Sequence, residues 1–253
     1  MINSALLKRS AALLATTASA AALTLIPASQ AQALGPSGFV VSGNASADWT
    51  GSGGGSCTLT SSPGSDEVST TPVNFQHGTR SRTLDMAATF TNSLDSTDRV
   101  KVKGHMRSTL TLRKYGNGDF RLLNLAATGS VTTKHTVAGS HCAGSGSMGS
   151  GLLAKPFKVS KRGRLAVSYQ AANPHAIVEL IVVKASNGHS VVTLESLASH
   201  LKGSAGATLK PGQYVLFGAA VGVFSGSSAI SKATALRQST SNDLHLRMGF
   251  NRS

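Results

Sequence analysis

Arg99, Lys101, Lys103, Arg107 and Arg113 fall at odd-numbered positions of one uninterrupted run, with His105 among them. In an extended chain those positions share a face, and alternate side chains stand roughly 7 Å apart. That spacing is close to the phosphate repeat of a stretched polyanion, so the stripe suits salt-sensitive contact with an anionic polymer. A second basic group follows further on: Lys155, Lys158, Lys161, Arg162 and Arg164. The candidate anion-binding residues are thus Arg99, Lys101, Lys103, Arg107, Arg113, Lys158, Lys161, Arg162 and Arg164. No aromatic residues interleave the stripe for base stacking, which argues against specific nucleic acid recognition. The plainer reading of both groups is a solvated strand face.

Other chemistry finds less support. Nucleophilic hydrolysis would want a G-x-S-x-G elbow, and none exists. Ser199-His200-Leu201-Lys202 matches S-x-x-K without the companion K-T-G and S-D-N strings, so a solvent-facing segment is expected there. Glycoside cleavage needs two facing carboxylates, and the chain has only 10 acidic residues. Asp66/Glu67 and Asp95/Asp98 lie in turn-like segments, and Asp95-Ser96-Thr97-Asp98 reads as an Asx-type turn. A sugar platform would favour exposed Trp and Tyr, yet Trp49 is alone and there are 3 Tyr. The 8 histidines show no H-x-x-x-H or H-x-H pair. His105, His135 and His141 would make a zinc or copper site only if the fold brought them together. No catalytic residue, metal or cofactor is expected on these grounds.

The segments around these residues carry an address. Lys8 and Arg9 precede an uncharged, Ala- and Leu-rich stretch from Ser10 to Pro27, and Ala31-Gln32-Ala33 offers small residues at a cleavage point. This is the pattern of a secretory signal peptide over residues 1–33, too diluted by Thr and Ser for a membrane span. No transmembrane segment is expected after its removal, and the protein is expected to be secreted or held at the cell envelope. Residues 34–56, with Gly51-Ser52-Gly53-Gly54-Gly55-Ser56, read as a flexible lead, although Phe39-Val40-Val41 could add a short edge strand. Cys57 and Cys142 make an even count in an exported chain and are expected to form a disulfide. It would close a loop of about 85 residues, for which chain entropy gives roughly 4–5 kcal/mol.

Net charge is +14, yet only 13% of residues are charged and 5% aromatic. Low charge with many short β-branched runs points to an all-β fold and away from a disordered chain. Leu84, Met86, Ala88 and Phe90 alternate with polar or small residues, as in a half-buried strand. The clearest strand runs from Arg99 to Lys114, with Val100, Val102, Gly104, Met106, Ser108, Leu110 and Leu112 opposite the basic stripe. Asn117-Gly118 then supplies a hairpin turn. Returning strands are expected from Phe120 to about Ala127 and from Val131 to Val137. The Gly/Ser run over 143–151 reads as a linker. Beyond it, strands are expected at Phe157–Val159, Arg164–Gln170, Ile177–Lys184, Tyr214–Val223 and Leu244–Phe250, with turns at Asn187-Gly188 and Pro211-Gly212. One short helix is expected over 194–202, with Leu194, Leu197, Ala198 and Leu201 on one face.

Lys155-Pro156-Phe157, Gly163-Arg164-Leu165, Val178-Glu179-Leu180, Asn187-Gly188 and Leu209-Lys210-Pro211-Gly212-Gln213-Tyr214 together form a layout. Over residues 155–224 it resembles the bacterial pre-peptidase C-terminal β-sandwich, while residues 34–150 show no such match. The resemblance implies a jelly-roll-like accessory module without catalytic residues of its own. The acidic residues that often bind calcium in that family are missing, with only Glu179 and Glu195 between Gly151 and Phe224.

The expected architecture is all-β: a disulfide-closed β domain over 57–142, the linker, and a β-sandwich over 152–253. The alternative is one sandwich of about ten strands. A membrane β-barrel is the topological rival, disfavoured by too few aromatic residues for its girdles. The expected function is a non-catalytic secreted or envelope protein whose basic strand face meets anionic surface polymer. The alternative is a secreted hydrolase whose site is assembled from unlinked residues.

Overall fold

A computed structural model describes residues 38–60, 67–71, 73, 76–152, 155–174, 176–196, 200–226 and 237–253. The signal segment over 1–33 lies outside them. Fourteen strands and no helix are found among the described residues. The first seven are β1 (Phe39–Trp49), β2 (Cys57–Leu59), β3 (Glu67–Ser69), β4 (Gly78–Asn92), β5 (Arg99–Lys114), β6 (Phe120–His135) and β7 (Cys142–Leu152). The rest are β8 (Lys155–Val159), β9 (Gly163–Ala171), β10 (Ala176–Lys184), β11 (Ser190–Ser196), β12 (Lys202–Leu209), β13 (Gly212–Gly226) and β14 (Arg237–Arg252).

Two open antiparallel sheets of seven strands are formed. One runs β12-β9-β14-β6-β5-β4-β2; the other runs β11-β10-β13-β7-β1-β3, with β8 also paired to β13. Neither sheet closes, so the barrel alternative is not formed. The buried side chains of both sheets belong to one continuous core, from Phe39 and Val41 through Met106 and Leu125 to Leu216 and Phe250.

β5 has the expected bounds and the expected alternation. Its even-numbered positions are buried from Val100 to Leu112, and Arg99, Lys101, Lys103, Arg107 and Arg113 are exposed. A slip by one residue would turn the cations into the core, which fixes the register. The following turn is hydrogen-bonded from the Tyr115 N–H to the Asp119 carbonyl at 2.8 Å, and Gly118 takes φ 84° as such a turn requires.

The two-domain expectation is corrected. The supposed linker over 143–151 is the body of β7, paired on one side with β1 along its whole length and on the other with β13. β14, from the C-terminal half, pairs with β6 from Arg237↔Lys134 to Gly249↔Leu122. Both sheets therefore pass without a break from one half of the chain to the other. The one-sandwich alternative is the observed form, with fourteen strands among the described residues in place of the expected ten or so.

The glycines of β7 are small because the sheets meet there, a reason that leaves the same composition as a flexible linker. A Cβ at Gly144 would lie 2.5 Å from a Val100 methyl, and one at Gly146 would lie 2.7 Å from Val102 and 2.9 Å from Val131. Met148 fills the space left by Gly104 across the gap and by its in-sheet neighbour Gly43, whose Cβ positions would lie 2.5 and 2.6 Å from its sulfur. Ser108 and Ser150, both buried, hydrogen bond across the same gap at 2.8 Å, which partners both hydroxyls away from water.

Two further expectations change. The flexible lead over 34–56 contains β1, an interior strand between β7 and β3, anchored by buried Phe39, Val41 and Ala45. The helix over 194–202 is not formed. Leu194 lies in β11 opposite Leu180 of β10, and Lys202 begins β12; residues 197–199 lie outside the described set. Val192 and Leu194 point inward while Thr193 and Glu195 are exposed, so a period of two prevails once β10 offers its edge.

Candidate anion-contact face

The outer face of the β12-to-β2 sheet collects the basic stripe and residues from other strands. Across β5, Lys101 stands opposite Thr89 of β4 and Lys134 of β6, and Lys103 opposite Ala87 and Thr132. Lys101, Lys103 and Lys134 are all exposed. Arg237 holds the register position beyond Lys134. Two lysines directly across a strand pair repel each other, a local cost of about 0.2–1 kcal/mol, and no acid shares their row.

The acids sit further along. Asp85 faces His105, with its carboxylate 2.6 Å from Nδ1. Asp243 accepts the Thr128 hydroxyl at 3.1 Å in the row of Arg107. These two divide the stripe into an Arg99–Lys101–Lys103–Lys134 end and an Arg113 end, with roughly 33 Å of β5 between Lys103 and Arg113.

The second basic group extends the Arg113 end. Lys158 lies exposed on β8 opposite Gln213, Lys161 and Arg162 form the exposed turn into β9, and Arg164 lies exposed between Asn251 and Thr208. Lys155 departs from that group and is buried. Arg247 of β14 and Arg121 of β6 add exposed cations. Arg164 borders a shallow trough of about 600 Å³, floored by Ala166, Ser168, Ser204 and Gly206.

Sequence reasoning missed Lys134 and Arg247. Arg247 sits in a visible alternation, Leu244-His245-Leu246-Arg247-Met248, but nothing local says that β14 inserts between β6 and β9. Lys134 acquires its importance only through the register of β6 on β5.

The end of the sandwich beyond Arg99 is clamped covalently. Cys57 and Cys142 are joined in a disulfide, with Cα atoms 5.8 Å apart, as expected. Asp98, buried, accepts the Asn92 amide at 3.0 Å, the His141 N–H at 3.0 Å and the Ser140 hydroxyl. His135 is buried nearby, and burial holds its imidazole below the ordinary value against the opposing pull of Asp98. Ser, His and Asp thus gather, but Ser140 donates to the carboxylate and all three are buried. The arrangement ties the turn after β4 to the turn before β7.

His105, His135 and His141 do not converge. His105 is on the outer face with Asp85, His135 is buried beside Val100, and His141 packs against the Trp49 ring at 5.2 Å. Among the described residues no group of three or more His, Cys, Asp or Glu is placed to hold a metal ion. Asp95 accepts the Thr97 hydroxyl and N–H, the Asx turn expected, and those bonds hold its carboxyl below the ordinary range. Trp49 offers no open platform, because Gly51 and Gly55 lie so close that a Cβ on either would stand 2.5 Å from its ring. Ser199 of the S-x-x-K string lies outside the described residues. Among the described residues no helix is long and apolar enough to cross a membrane.

No protein-family model matches the chain, and no curated protein matches it. Among solved structures, an isomalto-dextranase of Arthrobacter globiformis T6 complexed with panose aligns over 84% of this chain and 35% of its own at 15% identity, with a TM-score of 0.20. The secreted serine protease VesC of Vibrio cholerae aligns over 86% and 48% at 10% identity, with a TM-score of 0.22. The chain spans less than half the length of either, and at these scores neither likeness bears on its architecture or chemistry.

Proposed function

We propose that this protein is a non-catalytic β-sandwich of the cell exterior that contacts anionic surface polymer through the outer face of its β12-to-β2 sheet. The observation that carries the reading is the Lys101–Lys134 cross-strand pair with Lys103 beside it, exposed and without an acid in the row. A sheet that only needed solubility would gain from placing Asp or Glu opposite Lys101. An anionic polymer lying along β5 relieves the repulsion and releases counterions, which makes the contact salt-dependent. The disulfide agrees with an oxidising compartment, and the accessory role implied by the resemblance of residues 155–224 agrees with a binding module.

The test is retention on immobilised polyphosphate as salt is raised, comparing the wild type with the combined Lys101→Gln, Lys103→Gln, Lys134→Gln variant. The variant is expected to elute at lower salt, with the log affinity against log salt slope reduced by about 2–3, near one unit per lost phosphate contact. Elution of both proteins at the same salt would show that the face is merely solvated.

A further inference from the structure

Strands β12 and β2 end one sheet, and β11 and β3 end the other. Most of these edges carry a feature that discourages further pairing. β2 and β3 are 3 residues long, and the stretch of β4 beyond β2 sets Arg80 and Arg82 on the parity of buried Met86. The register of β11 on β10 shifts at Val182/Val183, as at a bulge. β12 differs from all of them. It pairs with β9 over 8 residues without a shift, from Lys202↔Gln170 to Leu209↔Gly163. From Gly203 to Leu209 it holds no proline and no charge.

The far side of β12 has a definite chemistry. The Ala171 N–H donates to the Leu201 carbonyl at 2.7 Å, so the odd-numbered residues of β12 exchange hydrogen bonds with β9. Antiparallel pairing alternates, which turns the N–H and C=O groups of Ser204, Gly206 and Thr208 away from β9. Among the described residues no strand pairs with that side. The trough of about 600 Å³ runs along it, lined by these three residues and by half-buried Ala205 and Ala207. Leu201, just before the strand, is 46% exposed. Arg164, Lys202 and Lys210 are exposed, and neither β9 nor β12 contains an acid.

We propose that an extended acidic peptide segment of a partner protein docks here, adding a strand to the β12 edge. Its backbone pairs with Ser204, Gly206 and Thr208, the usual mode of strand addition. Its side chains fall alternately on the two faces: acids beside Arg164 and Lys202 on the outer face, small apolar residues beside Ala205 and Ala207. Charge selects this occupant over a second copy of the chain. A two-fold pairing centred on Gly206 would set Lys202 of each copy opposite Lys210 of the other, and like charges in that relation weaken strand pairing.

Fluorescence anisotropy of the full chain with a capped heptapeptide alternating Glu and Val tests the assignment. The peptide is expected to bind saturably, and a counterpart alternating Lys and Val at least ten-fold more weakly. Thr208→Pro and, separately, Ser204→Pro each remove one outward N–H and leave the bonds to β9 in place, since proline is tolerated on that side of an edge strand. Each is expected to weaken the Glu peptide at least ten-fold, while Thr208→Val, which keeps the N–H, binds as the wild type does. Arg164→Gln with Lys202→Gln is expected to weaken binding several-fold and to flatten its salt dependence. The Lys101→Gln, Lys103→Gln, Lys134→Gln variant is expected to bind the peptide fully, so the edge and the polymer face stand or fall separately. Absence of saturable binding, equal binding of the Lys peptide, undiminished binding by both proline variants, or loss of binding in the triple lysine variant overturns the proposal. So does a dimer in sedimentation that Thr208→Pro dissociates, which would give the edge to a second copy.

Discussion

His135 is the residue whose chemistry is most altered by its place. It is 2% exposed at the end of β6, and burial outweighs Asp98 in setting its protonation, so the fold favours the neutral ring. A histidine depressed below its unfolded value near 6.5 contributes stability that is complete above that pH. The contribution is lost as pH falls through the lower, folded value. The urea midpoint is therefore expected to drop between pH 7.5 and pH 5, and the drop is expected to shrink in His135→Gln. An equal drop in the variant would assign the acid sensitivity to other groups. Asp119 behaves differently, and its effect belongs at lower pH. Burial raises it, but the Ser160 hydroxyl and N–H, Asn117 and Arg252 more than offset that and hold it below the ordinary carboxylate range. Its stabilisation is present above the unfolded carboxylate value near 3.9 and fails only as pH falls further, so the two groups separate cleanly in a pH series.

Strand β5 was legible residue by residue because alternation, turn and length all agreed: apolar even positions, cationic odd positions, and Asn117-Gly118 at the end. Strand β7 was not, because its composition is set by its partner across the gap. Between sheets that approach closely, Gly and Ser satisfy the same sequence statistics as a linker, and only the position of Val100, Val102 and Val131 tells the two apart. β1 was half-legible for a related reason, with Phe39-Val40-Val41 visible and the small residues after it hidden. Gly146→Val checks this account. Its methyls would enter space held by Val102 and Val131, so a loss of about 1–3 kcal/mol is expected in urea unfolding, the usual cost of overpacking. Ala143→Val, at an outward position of the same strand facing Asp48, is expected to change stability by less than about 0.5 kcal/mol. Equal effects at both positions would mean that the glycines of β7 are not there for clearance.

At the scale of the molecule, the halves divide the strands between them but not the sheets. In each sheet β1 to β7 supply the strands on one side of a seam and β8 to β14 those on the other, and the seam is crossed by β7 with β13 and by β6 with β14. That pattern explains why the sequence suggested two units: each half has strands in both layers, and the cut at 143–151 falls at the seam. What it could not show is that β13 and β14 are left as unpaired edges if the N-terminal half is absent. The β14 edge is long, running from Arg237 to Gly249 in its pairing with β6, and long open edges seek other strands. Leu244, Leu246 and Met248 on β14 are also fully buried in the shared core. Residues 152–253 produced alone are therefore expected to self-associate or to lack a cooperative unfolding transition, as judged by sedimentation and by chemical denaturation. Co-expression with residues 34–151 is expected to restore a soluble complex through the two seams. A monomeric 152–253 fragment with a sharp transition of its own would mean that the seam is a contact between independent domains, and the single sandwich would have to be redrawn as two.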